Sequence, residues 1–168
     1  MKMRPVLAHA AAVSAAAIAG GLLTNPTSAW YRTLAKPRWQ PPAKLFGPVW
    51  SGLYATIAYA GSAVWSKSND EQRKQWARAL TVNLVLNATW SGSFFRSHNL
   101  VFAAVHASLL EASTLDLIRR ARTVSAPAAA ALVPYAAWGG FALALNVDIA
   151  RRNSTSLGHF VDALHSKK

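Results

Sequence analysis

The sequence predicts an all-α fold, an integral membrane five-transmembrane-helix bundle, and three observations predict it. Hydrophobic residues make up 52% of the chain and charged residues only 14%, which is more apolar than a soluble domain of this length needs. The charges gather in short Lys- and Arg-rich clusters between long uncharged runs, where a soluble protein spreads them along amphipathic faces. Five of these runs reach or approach the roughly 20 apolar residues that a helix needs to cross a bilayer.

Residues 6–23 form an Ala-rich run in which Ala8, Ala12, Ala16 and Gly20 recur at helical spacing. Such a ladder of small residues lets a second membrane helix approach closely. Lys2 and Arg4 ahead of the apolar core, with Thr27-Ser28-Ala29 behind it, also fit a cleavable secretory leader; the ladder favours a retained helix. Residues 45–65 and 127–147 carry no charge and read as the strongest two runs. Residues 79–95 are also uncharged, and residues 100–118 contain Glu111 and Asp116. The connections are short apart from residues 24–44, so the chain reads as one membrane domain over residues 1–168. Orientation is not set by charge. Lys2, Arg4, Lys67, Arg73, Lys74, Arg78, Arg119, Arg120 and Arg122 would lie on one side, against Arg32, Lys36, Arg38, Lys44, Arg96, Arg151, Arg152, Lys167 and Lys168 on the other, an even balance under the positive-inside rule.

A net charge of +12 invites a nucleic-acid reading, in which basic side chains line one face and neutralise phosphates. Here they sit at the ends of apolar runs, where they snorkel to lipid headgroups. Membrane lipid is therefore the expected partner, and nucleic acid is not. The absence of cysteine removes disulfides, thiolate nucleophiles and Cys-based metal sites.

The loop over residues 24–44 is expected to be a stiff, non-helical lid, because Pro37, Pro41, Pro42 and Pro48 fix φ and remove amide donors. Trp30 and Trp39 fit an interfacial aromatic belt as well as a binding surface. Trp50 has Phe46 and Tyr54 one turn to either side, so it faces a cavity or a neighbouring helix. In the third run Asn83, Asn87 and Trp90 share a face. Amides in lipid need partners; helix-to-helix hydrogen bonding is the expectation for Asn83, and either that or a polar pocket for Asn87. In the fifth run Tyr135, Trp138, Ala142 and Leu145 form one stripe ending near Asn146 and Asp148, and Gly139 and Gly140 leave room beside the Trp138 indole for a flat ligand. Glu111 is costly facing lipid and should point inward. Asp116 should pair with Arg119 and Arg120. His106 is five residues from Glu111 and so on another face, which argues against a metal or acid–base pair, although axial ligation of a metalloporphyrin stays open. With no nucleophile–base pair or phosphate loop, the chain suits a large flat ligand bearing carboxylates, stacked on indoles and steered by Arg32, Lys36, Arg38 or Lys44.

These residues resemble the translocator protein and tryptophan-rich sensory protein family, also called the peripheral-type benzodiazepine receptor family. The resemblance rests on Trp30-Tyr31, Leu34, Lys36-Pro37, Trp39, Pro41-Pro42, Phe46, Pro48 and Trp50; on Asn87, Trp90 and Phe94-Phe95; and on Pro134-Tyr135, Trp138, Phe141-Ala142 and Leu145-Asn146. It implies a five-helix bundle, often a homodimer, with a cavity under the first loop that takes porphyrins such as protoporphyrin IX and haem as ligands, together with isoquinoline-carboxamide and benzodiazepine drugs. No cofactor is implied. Tyr31, Trp39, Phe46, Trp50, Asn87, Trp90, Trp138 and Ala142 match the family's pocket, and Tyr54 and Tyr135 join them from the residue reading above. The sterol-recognition pattern of the animal members needs a Tyr where this chain has Val147, so the chain departs from that motif and the resemblance leaves cholesterol binding open.

The resulting expectation is a membrane sensor or carrier for tetrapyrroles, acting in stress or porphyrin homeostasis without covalent chemistry of its own. An alternative is a light-dependent porphyrin-degrading enzyme in which Trp50 and Trp138 react, as is reported of some family members. A third is a membrane scaffold with a vestigial cavity. The Ala and Arg bias and the Lys2/Arg4 start lean towards a bacterial inner membrane over a mitochondrial outer membrane.

Overall fold

A computed structural model describes residues 3–165, with side chains described to residue 154. The described residues form helices and no strand: α1 (Met3–Leu23), the short α2 (Ala29–Thr33), a 3-10 turn (Ala43–Leu45), α3 (Phe46–Lys67), α4 (Asp70–Phe95), α5 (Leu100–Arg122) and α6 (Ala126–His165).

Local chemistry sets the ends. Pro48 falls in the first turn of α3, where a missing amide donor costs nothing. Asn69 opens α4 with a reciprocal cap: its side chain accepts from the Gln72 amide while the Gln72 side chain accepts from the Asn69 amide, and Asp70 and Glu71 follow in the first turn, where the helix dipole favours acids. Asn99 caps α5 by accepting from the Phe102 amide at 2.9 Å. His98, just before it, has φ 53°, a left-handed conformation that turns the chain sharply between α4 and α5. Pro134 sits inside α6, where it deprives one carbonyl of its helical donor.

The five long helices close into a ring. α1 packs on α3 and α4, α3 on α6, α6 on α5, and α5 on α4. α3 and α4 touch little even though only Ser68 and Asn69 join them, because α1 lies between them. A ring of five helices of about 10 Å diameter leaves space at its centre, and the lid segment lies across one end.

Three expectations are corrected. The packed face of α1 is His9, Val13, Ala16 and Gly20, while Ala8 and Ala12 are exposed. Strict steps of four overshoot a turn by about 40° each, so a straight helix keeps a face by alternating steps of four and three. Gly20 remains a true close approach, with the Ala88 carbonyl oxygen 3.7 Å from where its Cβ would stand. The run at 45–65 is not among the strongest. Among the described residues, Met3–Leu23, Leu100–Arg122 and Ala126–Ser154 are the helices long and apolar enough, by length and composition, to cross a membrane, whereas α3 is diluted by Trp, Tyr, Ser and Gly, and α4 begins with a charged third ahead of the uncharged run at 79–95. Freedom from charge is not the same as hydrophobicity. The lid, finally, is not wholly non-helical: α2 forms within it because Ser28 caps it by accepting from the Tyr31 amide at 3.2 Å.

Where α1 meets α3, buried His9 lies edge-on to Trp65 at 5.8 Å and is held through Nδ1 by the Pro5 carbonyl at 2.7 Å. Its ring fills the space beside Gly61, where a Cβ would collide with Cδ2 and meet Cγ at 3.0 Å. A ring fixed on two sides cannot withdraw. Gly61→Ala is therefore expected to destabilise the bundle by about 1–3 kcal/mol, the usual range for overpacking, readable as a lowered thermal unfolding midpoint in detergent.

Candidate functional site

The ring encloses a cavity of about 460 Å³. α1 lends it small residues, Ala17, Gly20 and Gly21, and the lid segment closes it with Thr24, Pro26, Tyr31 and Ala43. α3 supplies Phe46, Trp50 and Tyr54; α4 supplies Asn87, Trp90, Ser91, Phe94 and Phe95; α5 supplies Ala107, Leu110 and Thr114; α6 supplies Tyr135, Trp138, Gly139, Ala142, Leu145, Asn146 and Ile149. Helical periodicity explains the selection: Phe46, Trp50 and Tyr54 follow at steps of four, as do Trp138 and Ala142, so each helix shows one stripe to the centre.

Of the residues singled out from the sequence, Tyr31, Phe46, Trp50, Tyr54, Asn87, Trp90, Tyr135, Trp138 and Ala142 all stand at this wall. Trp39 does not. It is 47% exposed, lies edge-on to Phe141 at 5.5 Å, and donates its indole N–H to Asp148 at 3.2 Å. It is a latch between the lid and α6, reinforced by Asn153, whose side chain accepts from the Ala35 amide at 3.0 Å and donates to the Ala35 carbonyl at 3.1 Å. Trp30 is also absent from the cavity wall; half-buried, it stacks on His98 at 4.4 Å and lies edge-on to Phe94 at 5.6 Å. Lys36 caps the Tyr31 ring at 4.6 Å, and Arg32, Arg38 and Lys44 are exposed on the lid; none of the four lines the cavity.

The aromatic wall is tightly organised. Trp138 stacks on Phe141 at 5.1 Å and meets the edge of Phe46 at 5.6 Å, while Trp50 lies 5.3 Å from Tyr54 and 6.2 Å from Tyr135. Trp90 stacks on Phe94 at 5.5 Å and donates to the Ala103 carbonyl at 3.3 Å. Such offset and edge-on pairs fix the rings against rotation.

Behind the rings runs one directed chain of hydrogen bonds. The Tyr54 hydroxyl donates to Asn87 Oδ1 at 2.9 Å, and Asn87 Nδ2 donates to the Tyr135 hydroxyl at 3.1 Å. Tyr135 donates to Asn83 Oδ1 at 3.1 Å, and Asn83 Nδ2 donates to Ser113 at 2.7 Å and Thr114 at 3.0 Å. Both hydroxyls end on the Leu110 carbonyl. Four helices are thus tied through a single polar thread. Asn83 serves the helix-to-helix bonding expected of it, and Asn87 takes part in the thread while also facing the cavity.

His106 faces away. Its Nδ1 pairs with Ser93 at 2.7 Å and its Nε2 with the Leu86 carbonyl at 2.9 Å, and it is not among the lining residues. Both ring nitrogens are engaged, so the axial-ligand option is withdrawn. Asp116 pairs with Arg119 at 2.6 Å and with Arg120, as expected. Glu111 points inward: its Oε2 is buried without a partner and occupies the space a Gly139 side chain would take. Gly139 therefore makes room for a carboxyl on α5 as well as lining the cavity.

Two further groups at the wall are buried without partners, the Trp138 indole N–H and both side-chain polar atoms of Asn146. Asn146 is not among the site residues expected from the sequence, although its spacing of four from Ala142 is the available signal. Thr24 and Ser91, joined by a 2.8 Å hydrogen bond where α1 meets α4, were not anticipated, since hydroxyls in a small-residue helix are usually satisfied locally.

Across residues 8–152 the chain matches the pattern of the TspO/MBR family. It is 35% identical over 144 residues to the "Tryptophan-rich protein TspO" of Chlorobaculum tepidum, covering 83% of this chain and 89% of that one. To the human "Translocator protein" it is 33% identical over 126 residues, covering 74% and 75%. To the "Uncharacterized membrane protein YtaB" of Bacillus subtilis it is 30% identical over 135 residues, covering 80% and 87%. With a match that spans most of its length, together with these bacterial and animal relatives, this chain belongs to the TspO/MBR family.

Proposed function

We propose that all five long helices cross the membrane and that the chain is a tetrapyrrole-binding sensor or carrier, taking protoporphyrin IX or haem into the central cavity. The observation that carries this reading is the wall itself: Trp50, Trp90 and Trp138 surround one lidded space of about 460 Å³. That volume lies within the roughly 300–1,000 Å³ of small-molecule sites, and indole faces suit a flat conjugated ring. The unpartnered Asn146 amide and Trp138 N–H offer hydrogen bonds to a polar edge. No histidine lines the wall, so the free-base porphyrin is the better first probe.

Titration of the detergent-solubilised protein with protoporphyrin IX, followed by tryptophan fluorescence, tests this. Saturable quenching at micromolar or lower ligand is expected, weakened in Trp138→Phe. Linear quenching equal to that of an unrelated membrane protein of similar size would sink the tetrapyrrole reading.

The placement of Trp50 and Trp138 on one cavity also favours testing the degrading alternative. Illumination of the complex separates the two: a binder returns the porphyrin with its Soret band intact, and a degrader bleaches it only while Trp138 is present.

A further inference from the structure

A second concavity, of about 600 Å³, opens on the outside of the ring between α4 and α5. Phe94 and Phe95 mark the lid end of α4 by their contacts with Tyr31, so the groove, formed by the first half of α4 and the last half of α5, lies toward the opposite end. Gln75, Arg78, Ala79 and Val82 line one side, and Ser113, Asp116 and Arg120 the other. Its mouth is basic. Asp116 is shared between Arg119 and Arg120, which leaves that cluster one positive charge in excess, and Arg78 adds another; it has no ion-pair or hydrogen-bond partner among the described residues.

Towards the bundle's middle the same seam becomes apolar. On α4, Val82 and Val85 lie four and seven residues beyond Arg78; on α5, Leu109 and Val105 lie seven and eleven residues before Asp116. Each offset returns within about 40° of the same helix face, and all four side chains are more than half exposed. Two guanidinium groups above two parallel aliphatic stripes match a molecule with a phosphate at one end and hydrocarbon chains at the other. A free anion has no use for the stripes, and a neutral lipid none for the arginines.

We propose that the α4/α5 groove binds one anionic phospholipid, its phosphate between Arg78 and Arg120 and an acyl chain along Val82, Val85, Leu109 and Val105. Basic pockets between membrane helices hold anionic headgroups by the same combination of charge and apolar contact. The proposal rests on α4 and α5 crossing the bilayer, and it is independent of what the central cavity takes. It also gives the even Lys/Arg balance a local meaning, since a structured cleft distinguishes this end of the bundle where the bare count does not.

Native mass spectrometry of the full chain in neutral detergent, with equal phosphatidylglycerol and phosphatidylcholine, is the test. One phosphatidylglycerol is expected to remain bound to the monomer in preference to phosphatidylcholine. Arg78→Gln should weaken it about fivefold, from the loss of one cation at the headgroup, Arg78→Lys should retain most of it, and Arg96→Gln at the lid end should leave it unchanged. Equal retention of both lipids, equal binding in the Arg78→Gln protein, or binding seen only in a dimer whose second copy fills the seam would each overturn the proposal. So would displacement by excess glycerol phosphate, which would mark a site for the free anion. Protoporphyrin quenching measured on the same variants keeps the two proposals apart, because Arg78 does not touch the cavity.

Discussion

Asn83→Leu is expected to lower the stability of the bundle by about 2–4 kcal/mol and, on the tetrapyrrole reading proposed above, to weaken porphyrin binding without altering any residue at the cavity wall. Asn83 is fully buried and sits in the middle of the polar thread, accepting from Tyr135 and donating to Ser113 and Thr114. Individual hydrogen bonds between membrane helices contribute about 0.6–1.7 kcal/mol, and this substitution removes three. It also takes from the buried Tyr135 hydroxyl the acceptor it uses, Asn83 Oδ1, in a dry interior where replacing a lost partner is costly. Tyr135 and Asn87 both line the cavity, so slack in the thread is passed to the wall beside Trp50. The thermal midpoint of the ligand-free protein reads the first effect and fluorescence titration the second. A variant with unchanged midpoint and unchanged affinity would show that the thread bears no stress.

The sequence was most informative where a residue's type and its helical spacing agreed. Trp50 between Phe46 and Tyr54, and Trp138 above Ala142, are large aromatic groups set in stripes of a helix, and stripes have a direction once the bundle closes. Asn83 and Asn87 were legible for a related reason: an amide in an apolar run has few tolerable fates, and both found partners on neighbouring helices. Trp39 shows the limit. It lies in the lid, where no periodicity fixes direction, and its indole turned outward to Asp148. The same holds for the basic lid residues, since a proline-rich segment displays its charges wherever the latch to α6 leaves them. In α1, alanine is so common that a ladder could be drawn at several phases, and only the packing against α3 and α4 selects His9, Val13, Ala16 and Gly20. The family resemblance adds what spacing cannot, joining residues from α2 to α6 into one pocket, although it also includes Trp39, which does not line the cavity.

Asn146→Leu is expected to act in the opposite sense on stability and on binding. Asn146 is 2% exposed and neither polar atom of its side chain has a partner, while its neighbours at the wall, Ala142, Leu145 and Ile149, are apolar. An amide left unsatisfied in such surroundings costs about 1–3 kcal/mol, which a leucine of similar size would not. The ligand-free variant should therefore unfold at a higher temperature. If the amide is kept because it bonds the polar edge of a bound porphyrin, the same change removes a donor and an acceptor from the complex, and affinity for protoporphyrin IX should fall about tenfold, the equivalent of one such bond at about 1.4 kcal/mol. Gain in stability with loss of affinity is the signature of a group retained for its ligand. Gain in stability with affinity unchanged would place the porphyrin elsewhere on the wall, beside the indoles and away from Asn146. Loss of stability would mean that the amide is bonded to water in the membrane, and that the cavity is wetter than its aromatic lining implies.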